Sequence, residues 1–311
     1  MRSTSSFPRF PWCHFAAIGL SGLLTLLAVP GAQAAEGKLL LTGGVSTIDG
    51  AAGGGLTPWA VTGTYATAGQ WGASAYVTRV ATQDYGLSVA GVALGFNDRI
   101  EFSLAAQDFD TRDNLAALGL AGLHLKQSIV GLKVRLCGDA VLDSDRWQPQ
   151  VALGVLHKRA DAGALAPTLT GALGAHESGT EVYLSATKLL LAQGLLVNLT
   201  LRSTQANQGG LLGFGGAQAE GARLHAEGSV AFLVNRHLAL GAEIRTKPDN
   251  LNQSALGAGA LKEDTWTDAF VAWAPNKAVS LTLAWVDLGH IVPALQPRRQ
   301  TGAYLSAQIA H

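Results

Sequence analysis

About a dozen segments of roughly ten residues set apolar and polar side chains at alternate positions, the period at which a strand shows its two faces. In residues 99–108, Ile100, Phe102, Leu104 and Ala106 fall on one side and Arg99, Glu101, Ser103 and Gln107 on the other. In 223–234, Leu224, Ala226, Val230, Phe232 and Val234 oppose Arg223, His225, Glu227 and Ser229. Residues 195–202, 237–245 and 279–285 repeat the pattern. A helix would need an apolar period near 3.6, so these segments predict antiparallel strands with one apolar and one polar face.

A soluble β-sandwich also alternates, and the connections decide between the two. Turn-forming residues mark short connections at Ala68-Gly69, Asn97-Asp98, Ala192–Gly194, Asn235-Arg236 and Pro275–Lys277. Longer ones lie near 46–57, 110–124, 159–179, 205–222, 247–264 and 288–300. Two connections depart from the alternation, a short one at 81–84 and a long one at 137–147. Short turns on one side and long loops on the other are the asymmetry of a transmembrane β-barrel. Counting from a first strand at about 38–45 to a last at about 300–310 gives about fourteen strands, within a range of 12 to 14 and even in number. Lipid offers no hydrogen bonds, so every strand edge must be paired and the sheet must close.

The N-terminus carries Arg2 and Arg9, then an apolar run from Phe15 to Val29, then Pro30-Gly31 and Ala32-Gln33-Ala34. This predicts a secretory signal peptide over 1–34, cleaved after Ala34, followed by one barrel domain over 35–311. Beyond that point the chain has one cysteine, Cys137, and cannot form an internal disulfide. Charged residues make up 14%, against roughly 25% in soluble proteins, which fits one face in lipid. The net charge is zero, which argues against a nucleic-acid partner. The expected setting is the outer membrane of a Gram-negative bacterium, with lipids and the barrel-assembly machinery as partners.

The segments from Gly37 (GKLLLTGGVSTIDGAAGGGLTPWA), Ile129 (IVGLKVRLCGD), Phe270 (FVAWAPNKAVSLTLAWVDLG) and Gly302 (GAYLS) resemble an uncharacterised outer-membrane protein family of Gram-negative bacteria. That family is defined only by a domain of unknown function. The resemblance covers residues 37–311 and implies an outer-membrane barrel without assigning a catalytic residue. One feature departs from the usual barrel: the final strand ends in His311, where an aromatic residue read by the assembly machinery is expected.

On the polar faces, Arg79, Glu101, Lys133, Arg135, Glu181, Arg202, Arg223, Glu227, Glu243, Arg245 and Asp268 are the candidate lumen-lining residues. They carry both signs, so they suit either a lining for polar solutes or a network of paired charges that fills the barrel. The loops 114–123, 162–175, 209–217 and 254–261 are apolar for water-facing segments. Leu115, Leu118, Leu211, Leu212 and Phe214 are the candidates for a gate or lid, with Asp113 or Asn114 capping a short helix before Leu115–Gly122. Trp59, Trp71, Trp147, Trp266, Trp273 and Trp285 are read as an interfacial girdle.

The glycine runs Gly53–Gly55 and Gly209–Gly216 lack the Lys-Ser or Lys-Thr of a phosphate loop and read as close backbone approaches. His157, His225 and His237 are scattered, and no His/Cys/Asp cluster has metal-ligand spacing, so no cofactor or metal is expected. The leading expectation is a porin-like channel or transporter for small, even apolar, molecules. The second is a plugged structural barrel without transport. The third is a lipid-modifying enzyme using His225 and Ser229, and the chain reads as no enzyme because nothing in the spacing orients such a pair.

Overall fold

The computed structural model describes residues 38–141, 146–219 and 221–311. The expected signal peptide and its cleavage site lie outside the described residues. Two strands of two residues come first, β1 (Val45–Ser46) and β2 (Ala52–Gly53). Eight long strands follow: β3 (Trp71–Thr82), β4 (Gly86–Phe96), β5 (Ile100–Asp110), β6 (His124–Cys137), β7 (Gln150–Asp161), β8 (Ser178–Leu190), β9 (Leu195–Thr204) and β10 (Arg223–Asn235). Then come β11 (Leu238–Arg245), the short pair β12 (Gln253–Ser254) and β13 (Gly257–Ala258), and finally β14 (Trp266–Asn276), β15 (Val279–Asp287) and β16 (Thr301–Ala310).

Twelve of these strands, β3–β11 and β14–β16, pair antiparallel with their neighbours in a closed ring, and β16 closes on β3. The count is twelve rather than about fourteen. The two surplus strands of the sequence reading, near 38–45 and 58–67, are not in the wall; the chain from Leu40 to Ala66 is folded inside the barrel. Its residues alternate too weakly to offer lipid a continuous apolar face, and its glycines at 43–44 and 53–55 suit tight packing against side chains.

The alternation places the side chains of the wall. On β5, Glu101, Ser103, Ala105 and Gln107 face the lumen, whereas Phe102 and Leu104 are about 40% exposed on the outside, at 41% and 42%. The outward apolar run from Ile100 to Ala106 covers roughly 20 Å of strand, close to the apolar band of a membrane barrel. Small lumen-facing glycines sit directly opposite large rings: Gly91 opposite Tyr76, Gly154 opposite Tyr183 and Gly241 opposite Phe270. A Cβ at Gly154 would lie 2.0 Å from the Tyr183 ring, so the ring occupies its neighbour's side-chain space and thickens the wall inward.

At one end of the barrel the connections are tight, apart from the longer 138–149 that joins β6 to β7. Asn97 and Asp98 both take positive φ, the backbone of a two-residue hairpin turn. His311 continues the closing ladder through two backbone hydrogen bonds with Ala73, and its ring meets Trp71 edge-on. The other end carries the longer loops, with the short 83–85 connection among them.

Trp71, Trp273 and Trp285 are exposed on the outer face and Trp147 is exposed in the 138–149 connection, as a girdle requires. Trp59 and Trp266 are buried inside instead, Trp59 because it belongs to the inserted segment and Trp266 because its strand position faces inward. Arg79 also departs from expectation: it shares a side with Trp71 and Val77, on the outer face near the loop end, and its guanidinium hydrogen-bonds Ser88 there. Its long stem lets the charge reach the polar interface.

Leu104 lies midway along its outward run. Leu104→Lys is expected to destabilise the folded barrel by ~2–4 kcal/mol in vesicles, the cost of a cation near mid-membrane. Urea titration of the reconstituted protein measures it; a change under ~0.5 kcal/mol would place this face away from lipid.

Candidate functional site

Residues 40–66 form a plug that enters and leaves at the turn end. At entry, Lys38 pairs with Asp98 at 2.6 Å and donates to the Thr64 carbonyl at 2.8 Å; at exit, the Gly69 amide donates to Asn97 Oδ1 at 2.7 Å. Between these points the plug makes only one two-residue ladder, β1 with β2. Turns inside it satisfy part of the backbone, with the amides of Thr47, Ile48, Gly54 and Trp59 donating to the carbonyls of Ala51, Gly55, Thr57 and Ala52. The remaining groups need other partners, because a buried amide without one costs about as much as a lost hydrogen bond.

The wall supplies those partners from its polar side chains. Glu101 accepts from the amides of Ala52 at 3.0 Å and Gly63 at 2.7 Å. Lys133, paired with Glu101 at 3.0 Å, donates to the carbonyls of Ala52 and Val61 at 3.1 and 2.8 Å. Glu243 accepts from the amides of Leu56 and Thr57 at 2.7 and 3.3 Å. Thr200 donates to the Pro58 carbonyl at 2.8 Å, with Ser185 and Asn198 beside it. Gln150 donates to Ala60, and Gln308 accepts from the Ser46 amide, each at 2.7 Å. Gly54 passes so close to Glu243 that a Cβ there would lie 2.4 Å from the carboxylate, which accounts for a glycine in this run.

The tip of the plug enters a six-charge cluster. Asp49 Oδ1 meets Lys158 at 2.8 Å, and its Oδ2 meets Arg245 at 2.8 Å and Arg202 at 3.4 Å. Glu181 joins Lys158 and Arg202 at 3.1 and 2.8 Å, and Glu227 joins Arg202 and Arg245. Glu227 and Arg245 are direct cross-strand neighbours. All six side chains are at most 3% exposed.

Above the tip sits a lid. Residues 205–216 fold over the loop end, and the Gly209 carbonyl accepts from Lys158 at 3.1 Å. Phe214 is fully buried and bridges His176 through two backbone bonds, while Leu211 and Leu212 are 7% and 8% exposed. Gln208 locks the lid to the loop 246–265: its amide donates to Glu263 at 2.8 Å and its side chain accepts from Lys247 at 2.7 Å. Lys247 and Glu263 pair at 3.1 Å, and burial pushes the amine down and the carboxyl up from their ordinary values. With plug and lid in place, the pocket beside Trp59, Leu196 and Phe270 holds about 20 Å³, room for about one water.

The family described as a protein of unknown function (DUF3034) matches residues 42–308. This chain belongs to that family. The DUF3034 match begins inside the plug and runs to the last strand, so plug and wall lie within one family unit. No curated protein matches the chain by sequence. Among solved structures, the KdgM porin is similar over 76% of this chain and 98% of its own, at 8% identity and a TM-score of 0.47. The NanC porin is similar over the same shares at 9% identity and 0.49. The outer membrane phospholipase A of Escherichia coli is similar over 76% of this chain and 92% of its own, at 8% identity and 0.41.

Within this DUF3034 barrel, Glu101, Lys133, Glu181, Arg202, Glu227, Glu243, Arg245 and Asp268 face the lumen. Asp268 stands directly opposite Glu243. Arg135 lies at the turn end, holding Asp98 and Asp139, and Arg223 is exposed at the loop end of β10. Neither enters the charge cluster: Arg135 is at the opposite end of the barrel from it, and Arg223 is exposed at the rim. Lys158 and Asp49 are missing from the sequence-derived set. The alternation of β7 could have given Lys158, which shares a side with Gln150 and Leu156. Asp49 could not be placed by alternation, since residues 46–57 read as an outer loop.

Leu115 is buried, but Leu118 is 59% exposed and takes no part in the lid. The short helix Ala116–Leu118 has no side-chain cap; Asn114 instead donates to the Asp84 carbonyl at 2.7 Å and ties two loops together. Ser229 is engaged with Thr57, Trp59 and Glu243, while the His225 ring points to Thr246 at 3.5 Å, so the two do not form a pair.

Lys133→Met alone leaves Glu101 buried without its cation and is expected to cost ~3–5 kcal/mol. Lys133→Met/Glu101→Gln should recover only the part due to the uncompensated charge, because the Gln amide nitrogen then faces a plug N–H and the Ala52 and Val61 carbonyls stay without their donor. Equilibrium unfolding in urea reads both variants. At the loop end, Asp264 accepts from the His290 amide at 2.9 Å and its ring at 2.6 Å. Burial raises the Asp264 carboxyl, but these bonds and the charges of His290 and Arg299 outweigh it and hold the carboxyl below its usual value. The clasp is therefore fully present above about pH 4 and is lost as pH falls through the lower folded value. Hydrogen exchange at 288–291 should rise on acidification below about pH 4, and Asp264→Asn should abolish that dependence.

Proposed function

We propose that this protein is an outer-membrane channel for small solutes that is held shut by its own N-terminal segment. The observation that carries the reading is the path of residues 40–66: they fill the lumen, yet both ends lie at the turn end. A segment inserted from one side can be withdrawn to that side without unthreading the wall. Its attachments are side-chain hydrogen bonds, ion pairs and the packing of Ile48, Leu56, Trp59 and Val61 in the core, and the wall does not need it for closure, because all twelve strands pair with one another. The turn end is the periplasmic end of such barrels, so the plug would be drawn from the periplasm. The lid 205–216 is the second closure, on the outer side.

A permanently plugged barrel with a structural role is the competing reading, and the deep burial of Trp59 and the balanced charge cluster favour it. Planar-bilayer recording separates the two. Replacing residues 40–66 by a short Gly-Ser linker should turn a closed barrel into one with stable conductance steps. A variant that is folded, by its heat-modifiable gel mobility, and still silent would end the channel reading. Openings should become more frequent in Ser46→Ala/Gln308→Ala, which removes a plug–wall hydrogen bond of 2.9 Å. A wild-type protein that never opens, beside a conducting deletion, supports the permanent plug.

A further inference from the structure

The charge cluster is unbalanced unless the plug is in place. The wall contributes three cations, Lys158, Arg202 and Arg245, and two carboxylates, Glu181 and Glu227; Asp49 brings the third carboxylate. When the plug leaves, one positive charge of the cluster stays uncompensated in the lumen, open to an anion from the solution. The position it vacates is well defined. One carboxylate oxygen of Asp49 faces the Lys158 ammonium and the other faces two guanidinium groups, at 2.8 Å from Arg245 and 3.4 Å from Arg202. The three cations come from β7, β9 and β11, and their other bonds hold them in place when Asp49 goes. Lys158 is tied to Glu181 and the Gly209 carbonyl, Arg202 to Glu181 and Glu227, and Arg245 to Glu227. Arg202 also lies over the Tyr183 ring and Arg245 over that of Trp266. Guanidinium groups fixed in this way are suited to planar carboxylates.

We propose that the seat of Asp49 is a carboxylate-binding site of the open barrel, and that Asp49 is its built-in occupant. The solutes it takes carry a carboxylate group and compete with the plug tip. The seat lies directly under the lid, so a solute entering from the loop end meets it while the plug is still partly inserted. The solute's role rests on the gating proposed above; the seat itself can be tested without it.

The first test is chemical rescue. Asp49→Gly removes the carboxylate and leaves room for a small anion. Refolded in detergent, this variant should melt below wild type, and formate should raise its Tm by several degrees while chloride at equal ionic strength does not. Asp49→Gly/Arg245→Gln should lose that response. Equal effects of formate and chloride, or equal rescue of the double variant, would overturn the site. The second test uses the barrel with residues 40–66 replaced by the linker. Succinate added at the loop end should block its current, and Arg245→Gln should weaken the block by at least about tenfold; an unblocked current would count against the site even where Asp49→Gly fails to refold. Formate rescue beside a silent plug-deleted barrel keeps the site and removes the gating. A conducting barrel indifferent to succinate, with no formate rescue, keeps the gating and removes the site.

Discussion

Backbone groups taken out of water must find partners, and this molecule meets that demand twice. The outer sheet meets it by closing, so that no edge faces lipid. The inserted segment cannot, since within it only β1 and β2 pair as a ladder. Glu101, Lys133, Glu243, Thr200 and Gln150 take over the role that neighbouring strands play elsewhere. The mixed signs of the lumen follow from this: an amide needs an acceptor and a carbonyl needs a donor, so a wall that receives a folded backbone must carry both.

That demand also explains why the ionised groups inside are tolerated. Each of Glu101, Lys133, Arg202 and Glu227 is almost fully buried, and each is both paired and hydrogen-bonded. A lone charge there would be prohibitive, and a pair with spare lone pairs only slightly less so. The plug fills the remaining capacity. Plug and wall therefore form one electrostatic unit at the tip, where Asp49 completes a cluster that the wall leaves one carboxylate short.

The lid obeys the same logic at lower cost. Residues 205–216 are apolar enough to leave water, and Phe214 and Leu211 do so. Their backbone is satisfied through Asn207, Gln208 and the bridge to His176. The lid touches the plug cluster through the Gly209 carbonyl on Lys158, so the two closures share one residue of the wall.

Much of the fold was legible in the sequence. Alternation placed the inward and outward faces of β5, β9, β10, β11 and β15, because a strand has no choice of period. Turn residues such as Asn97-Asp98 marked the hairpins, because few residues adopt positive φ easily. Alternation also named most of the lumen charges, including both members of the Glu101 and Lys133 pair. What it could not decide was the fate of residues 40–66; the side of Arg79 is in the alternation of β3, which sets it with Trp71 and Val77, and only its charge pointed to the lumen. A short segment with glycines and few apolar alternations is compatible with a wall strand, an outer loop or an inserted plug, and local propensity gives them nearly equal energies. The choice rests on contacts with residues up to 262 positions away, such as Ser46 with Gln308. Only the closed barrel brings those partners together, and so only the tertiary structure turned a row of lumen charges into the receptor for a plug.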